Sequence, residues 1–483
     1  MASWDRRTPD QNHKQQEAAV KSQVLDAVGP FSPWWRERFG ALGRTPADAA
    51  SVAGLAALPA FGERDLCPDG DPATAAGLVL QADEQGFALH AHGPALRRSL
   101  ALRMAAPDSY RRLIEADTRP TSFVWAGLGV RFPVASTRTD LDVIARVGAR
   151  LWAVLGLTAD DLVVSALSGP PTATAQALHL AALAAGCPAM APGPALSDLL
   201  TALALLPATV LVVEAAAAAG LLEALDDGGA DLTGLTTLLC VGALGDDERQ
   251  ASSDALSRVG AAAAVVLALH VPEGHRLPWA ECRTGGGPTG LHTYPDLDVV
   301  GVVDAETGEA TDAPGGELVL TQLELRGSAL LRWRTGDLVA SIATAPCPAC
   351  GRTVPRLLEV QRGALVPEMA LRPALARRVD LRGVSGALTG RADVAGWTIV
   401  TGPSPRDGFD ELLVHVVPVE GADPAEVAIG VARDVRAGSG LLPTQVVLAR
   451  PGELPVGGTA LLPRVVRRPP VVRTGPGGLG RDR

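Results

Sequence analysis

From residue 137 to residue 300 the chain alternates helical stretches with short apolar runs, and this restricts the fold more than any other feature of the sequence. Helices are predicted over Asp140–Leu155, Thr172–Ala185, a stretch ending at Leu225, and Asp246–Val259. Between them lie apolar runs predicted as strands, at Leu162–Ala166, Thr209–Val213 and Leu235–Val241. Strands that are apolar on both faces need cover on both faces, and helices crossing over a largely parallel sheet supply it. With 483 residues and 47% hydrophobic content, there is enough apolar material for one large domain and a smaller one. The expected fold class is α/β: a large N-terminal domain of mixed and parallel sheets covered by helices, then a small α+β C-terminal domain.

A net charge of −10 excludes an ordinary nucleic-acid binder. Six cysteines are too few to form a disulfide framework in a chain this long, and Met1-Ala2-Ser3-Trp4-Asp5 lacks the basic-then-apolar order of a secretory signal. A cytoplasmic location is expected. The most apolar window, Leu199–Leu222, is interrupted by Pro207 and Glu214, so it predicts a buried helix and strand rather than a membrane span. Residues 13–42 predict a helical lead that packs Trp34, Trp35 and Phe39 on the main body. Within 67–120, a hairpin is predicted over Gly77–His92 and an amphipathic helix over Pro94–Ala105. Cys67, Cys187 and Cys240 lie in apolar or turn contexts that suit packing.

The residues most suggestive of chemistry fall between Leu330 and Arg356. Arg334-Thr335-Gly336-Asp337 holds a short carboxylate at a glycine bend, suited to accepting hydrogen bonds from a sugar diol. Cys347 and Cys350 form a Cys-x-x-Cys pair, and Cys282 with His292 lies upstream. Together they make a Cys3His set with the spacing of a closed tetrahedral zinc site, which would be structural because no coordination position stays open. The other reading is four unrelated residues, the cysteines being reduced core thiols.

These phrases carry a family resemblance. The RTGD turn, the Cys347-to-Thr353 knuckle, Ala280-Glu281-Cys282 and Gly290-Leu291-His292 resemble the phenylacetate-CoA ligase branch of the adenylate-forming (acyl-CoA synthetase) superfamily. So does the strand–turn–strand phrase Leu297–Thr321. The resemblance covers nearly the whole chain except 67–120, which it leaves as a divergent insertion. It implies a large domain over 1–362 with a zinc clasp near 282–350, a mobile C-terminal lid over 363–468, and a basic tail over 469–483. It also implies that Asp337 takes ribose hydroxyls, although a loop-capping carboxylate is an equal reading of that residue. By register, Arg362 falls near the hinge to the lid, and Glu273 is the acid that reaches a metal-bound phosphate.

Where relatives manage ATP, this sequence departs from them. Their Ser/Thr-rich phosphate loop is here Val124 to Pro133, which keeps Gly127 and Gly129 but has no hydroxyl between Phe123 and Pro133 and carries Trp125 and Leu128. Gly242, in the phrase Cys240–Leu244, lies where relatives contact the acyl pocket and adenine, but the acid of that phrase is missing. In Ala268–Glu273, Leu269 replaces the adenine-stacking aromatic and His270 a glycine. His270 beside Glu273 suits a general base, and equally a structural histidine at a strand end. Relatives end on a lysine that stabilises charge at the α-phosphate; here Thr459 or its neighbour takes that place, and Lys14 and Lys21 are the only lysines in the chain. Only a rebuilt loop would let Arg464 substitute.

The first functional expectation is a degenerate homologue without ordinary ATP-dependent adenylation. It would act as a binding subunit or in ATP-independent chemistry on an acyl or aryl substrate, with ATP, AMP and Mg demoted and structural zinc retained. The alternative is a working ligase that passes an acid to CoA or a carrier protein. A third reading, a structural partner of an active paralogue, predicts stable association with that paralogue. Neither nucleic acid nor membrane is an expected partner.

Overall fold

The computed structural model describes residues 4–67, 71–81, 93–127, 132–167, 172–193, 195–242, 244–284, 288–305, 307–360, 368–369, 377–378, 381, 384, 387–388, 391–404, 410–439, 441–455 and 465–467. The chain splits into two compact units, Met1–Arg362 and Gly363–Arg483.

In the first unit the strands are β1 (Pro120–Ala126), β2 (Phe132–Thr137), β3 (Val163–Ser165), β4 (Ala189–Met190), β5 (Val210–Glu214), β6 (Thr237–Val241), β7 (Val265–His270), β8 (Trp279–Ala280) and β9 (Leu291–His292). They continue as β10 (Asp298–Val303), β11 (Gly316–Gln322), β12 (Trp333–Val339), β13 (Ser341–Ala343) and β14 (Arg356–Leu358). One sheet runs β13-β14-β9-β8-β7-β6-β5-β3-β4. Its β4-β3-β5-β6-β7 side is parallel, and the strands beyond β7 join antiparallel. The parallel half follows from the helix–strand alternation. Helices Ala173–Ala185, Leu196–Leu205, Ala218–Asp227 and Asp246–Arg258 connect its strands, and β5 and β6 are apolar along most of their length. A separate antiparallel sheet, β10-β11-β12, and the hairpin β1-β2 complete the unit.

Local chemistry sets the helix ends. Thr137 and Asp140 form a capping box at the start of Arg138–Leu155, and Gly156 ends it at φ 67°. Gly148 lets this helix press on Ala173–Ala185: a Cβ there would lie 2.3 Å from the Ala181 Cα. In the helical lead, Trp35 and Phe39 are buried and Trp34 half-buried, with Trp34 and Trp35 packed on Phe61 and Phe61 on Trp333. Trp35 also donates its indole N–H to the Ala329 carbonyl at 3.1 Å.

The segment after Cys67 differs in part from expectation. Gly77 and Leu78 end a 3-10 turn, Pro72–Leu78, rather than opening a hairpin, and residues 82–92 lie outside the described residues. The reason is packing: Ala75, Leu78 and Leu80 are buried, Ser32 donates to the Gly77 carbonyl, and Gln81 N–H donates to Phe31. The predicted helix is present as Gly93–Ala105. The apolar window forms a helix, Leu196–Leu205, and strand β5, and among the described residues no helix is long and apolar enough to cross a membrane.

The second unit contains β15 (Glu368–Met369), β16 (Arg377–Arg378), β17 (Val394–Pro403), β18 (Asp410–Pro418), helix Pro424–Ser439, β19 (Gln445–Leu448) and β20 (Val465–Arg467). Its main sheet runs β19-β18-β17-β20, an α+β arrangement. The basic tail after Arg467 lies outside the described residues.

Candidate functional site

Four ligand-bearing side chains meet at the antiparallel end of the nine-stranded sheet. Cys282 follows β8, His292 ends β9, and Cys347 and Cys350 lie on the turn before β14. Their donor atoms all lie within 4.8 Å of one another. The Cys282 and Cys347 sulfurs are 3.8 Å apart, and the Cys350 sulfur is 3.3 Å from His292 Nε2. A tetrahedron with metal–sulfur bonds of about 2.3 Å has edges of about 3.7 Å, so these separations suit one small cation at the centre. All six cysteines are free thiols, so no disulfide competes for these sulfurs.

The surroundings orient the donors. His292 Nδ1 lies 3.3 Å from the Ala280 carbonyl, which places the ring proton there and leaves Nε2 as the donor facing Cys350. Burial holds the imidazole down at about 4, so it stays neutral. Burial pushes the Cys282 thiol up to about 12, and the Thr289 hydroxyl lies 3.4 Å from its sulfur. At Cys350 burial raises the pKa, but hydrogen bonds from Arg352, Cys347 and Cys282 together hold the thiol below its ordinary value. The knuckle closes on itself, with Gly351 N–H donating to the Cys347 carbonyl and Cys347 N–H to Arg352, both at 2.8 Å. Gly351 takes φ 67°, a conformation that suits glycine. Three thiols and a neutral imidazole in this arrangement can hold a metal ion.

The second constellation lies at the carboxyl ends of the parallel strands, where α/β sheets place their ligands. His270 ends β7; on the neighbouring β6, Gly242 follows the last residue, at φ 107°, and donates its N–H to Leu269 at 2.9 Å. Asp337 comes from β12 of the other sheet. The RTGD residues form a bulge within β12 rather than a free turn, with Gly336 at φ 80° and the register against β11 shifting between Glu317 and Val319. Glu317, fully buried, fixes that bulge: it accepts from Gly336 N–H at 2.9 Å and from Arg334 Nε at 2.9 Å. Asp337 then meets His270, Nε2 to Oδ2 at 2.8 Å, with the side chains 2% and 0% exposed. A carboxylate only accepts, so Nε2 carries the proton. His270 Nδ1 has no partner among the described residues.

Glu273 is buried in the loop after β7, and its carbonyl accepts from the Trp333 indole at 2.8 Å. Gly127 closes β1 at φ 94°, and β1 turns Phe123 and Trp125 outward, each about half exposed, while Phe132 on β2 is buried against Trp333. Gly129, Arg362, Thr459 and Arg464 lie outside the described residues.

Several residues that organise these sites were not foreseen from sequence. Arg276, 1% exposed, donates to Gln322, the Ser328 carbonyl and Asp140, the last at 3.1 Å. Asp140 also accepts from the backbone of Arg326 and Gly327, which ties the helix after β2 to the segment before β12. Glu281, beside Cys282, accepts from Arg249 at both carboxylate oxygens, each at 2.9 Å, and from Ala268 N–H at 2.8 Å. Charged residues within otherwise apolar or Gly-rich phrases were the available signal.

No family model matches the sequence, and no curated protein matches it. Solved structures do. The complex of 2-hydroxyisobutyryl-CoA ligase with 2-HIB-AMP and CoA in the thioesterification state superposes with a TM-score of 0.60 at 18% identity, over 96% of this chain and 91% of that one. The same enzyme in the postadenylation state with R3-HIB-AMP gives 0.57 over the same shares and at the same identity, and an open conformation gives 0.58 over 96% and 93%. This chain has the adenylate-forming ligase fold. Within that fold, the nine-stranded sheet carries both constellations: the Cys3His cluster on its antiparallel side, and His270 at the carboxyl ends of its parallel strands.

Proposed function

We propose that this chain is an adenylate-forming-fold protein that does not run ordinary ATP-dependent adenylation, because its own side chains close the nucleotide acceptor. The observation that carries the proposal is the His270–Asp337 bond at 2.8 Å between fully buried side chains. A nucleotide ribose would have to compete with an imidazole already bonded to Asp337 Oδ2. A hydrogen bond to a charged group contributes about 1.5–3 kcal/mol, so the closure weakens binding by roughly ten- to a hundredfold. The missing hydroxyls of the Val124–Pro133 stretch and the missing lysine act in the same direction. The protein then serves as a binding subunit, or acts without ATP on a small carboxylic acid or an acyl or aryl ligand. CoA belongs among the candidate ligands because the matched ligase binds it together with an acyl-AMP. The second unit, Gly363–Arg483, would be the counterpart of the lid. Structural zinc is the cation we assign to Cys282, His292, Cys347 and Cys350, on the strength of a three-sulfur, one-nitrogen donor set with no open position.

A second reading keeps Glu273 as phosphate-side acid and Asp337 as ribose acceptor in a rebuilt, working ligase for CoA or a carrier protein. The buried proximity of both residues to the carboxyl end of β7 favours it. Two measurements decide. The wild-type protein should release no pyrophosphate with any member of a carboxylic-acid panel, and calorimetry should show AMP binding at least tenfold tighter in His270→Gly than in wild type. Pyrophosphate release by the wild type with a single acid would establish the ligase.

A further inference from the structure

The metal cluster does more than join two loops of the large unit. Residues 4–7, some 345 positions away in sequence, lie along the cysteine knuckle and bond to its backbone at Cys350, Gly351 and Thr353. Arg6 donates to the carbonyl of Gly351 at 2.6 Å and to that of Cys350 at 3.1 Å. Asp5 accepts from Arg352 Nε at 3.0 Å through its side chain, and from Thr353 N–H at 2.9 Å through its carbonyl. The Thr353 hydroxyl donates to the carbonyl of Arg7 at 2.6 Å. Beside them, Trp4 packs on Tyr294, two residues after His292, at 5.4 Å between ring centroids, with the Arg150 guanidinium 5.0 Å over its ring. The approach at Gly351 is so close that a Cβ there would meet Arg6 at 2.9 Å.

We propose that Asp5 and Arg6 are positioning residues for the Cys3His metal site, and that the loaded site in turn anchors the 4–7 strap. This rests on the assignment of a metal to the cluster. The carbonyls of Cys350 and Gly351 and the guanidinium of Arg352 face the strap in register only while the knuckle keeps its turn, and binding of both cysteines to one cation would reinforce the two backbone hydrogen bonds that hold that turn. A strap that favours the loaded knuckle must tighten metal binding by the same factor by which metal tightens the strap. Partners in this outer position commonly contribute ten- to a hundredfold in metal affinity.

Trypsin provides the test, because Arg6 and Arg7 are cleavage points inside the strap. The full-length protein is analysed for bound zinc, then incubated with trypsin with and without a zinc chelator, with cleavage followed by mass spectrometry. Hydrogen exchange over β5 and β6 monitors whether the fold persists. The expected results are cleavage after Arg6 and Arg7 at least tenfold faster once the metal is stripped, unchanged protection of β5 and β6, and zinc bound at least tenfold more weakly by Asp5→Ala/Arg6→Ala in a chelator competition. A protein that binds zinc, but whose strap cleavage and zinc affinity ignore each other, overturns the coupling and leaves the metal site standing. A protein that binds no zinc overturns both. If chelation exposes β5 and β6 as well, the affinity of the double variant decides alone, and wild-type affinity refutes the proposal.

Discussion

The Cys3His cluster and the His270–Asp337 pair lie in one unit and are built on opposite principles. The cluster brings together three thiols and a neutral imidazole whose donor atoms all lie within 4.8 Å of one another, a donor set that can hold a cation. The pair brings together a base and an acid that bond to each other at 2.8 Å with the side chains out of contact with water, and His270 Nδ1 is left without a partner among the described residues. Donor atoms converging on one point suit a ligand, whereas two functional groups that pair with each other present less of themselves to one. The same fold therefore holds a convergent donor set at one end of its large sheet and a mutually bonded pair at the middle.

The strongest way to break this contrast is to remove the donors. Cys347→Ser/Cys350→Ser should bring metal content from one equivalent to none by elemental analysis. It should also lower unfolding stability by about 4 kcal/mol, the linkage expected when free metal exceeds its Kd a thousandfold. A double variant with wild-type metal content and wild-type denaturation midpoint would reduce the cluster to ordinary core thiols.

Next in size is a change at a buried ion pair away from the cluster. Arg276→Met leaves the fully buried Asp140 without its guanidinium at 3.1 Å, and breaking a buried pair by removing one partner typically costs about 3 kcal/mol. Urea unfolding should detect that loss, while zinc content stays at the wild-type value. Loss of zinc in this variant would mean that the two regions are not separately built.

The contrast also explains what could be read from the sequence. The parallel half of the sheet was legible because each strand is a short apolar run between helical repeats, a signal contained within a dozen residues. The Cys3His set was legible because soft ligands at Cys-x-x-Cys spacing are rarely coincidental, and His292 on β9 pairs with Ala280 on β8, two residues before Cys282. The His270–Asp337 bond was not legible. Each residue was singled out for a separate role, but 67 positions and two different sheets separate them, and only the bulge fixed by Glu317 turns the carboxylate toward β7. The hubs at Arg276 and Glu281 were missed for the same reason, since a buried charge is defined by distant partners rather than by its neighbours in sequence. The 3-10 turn at Pro72–Leu78 escaped because contacts to Ser32 and Phe31, not local alternation, decide its backbone.

The smallest effect concerns acid, and it sharpens the metal side of the comparison. In the metal-free protein, burial holds His292 at about 4, against an ordinary value of 6.5. The unfolded chain therefore binds a proton between those two values that the folded chain refuses. Stability from this group is fully present above about pH 6.5 and falls as pH drops toward 4, because the unfolded state takes up more protons over that window. His292→Asn should remove that loss, giving a flatter profile of thermal midpoint against pH. In the loaded protein the cation occupies the same nitrogen, so the proton must also compete with the metal, and the acid transition should move to lower pH as free zinc is raised. If the transition takes the same course with and without zinc, Nε2 is not a ligand, and the cluster falls to three sulfurs with a bystander ring.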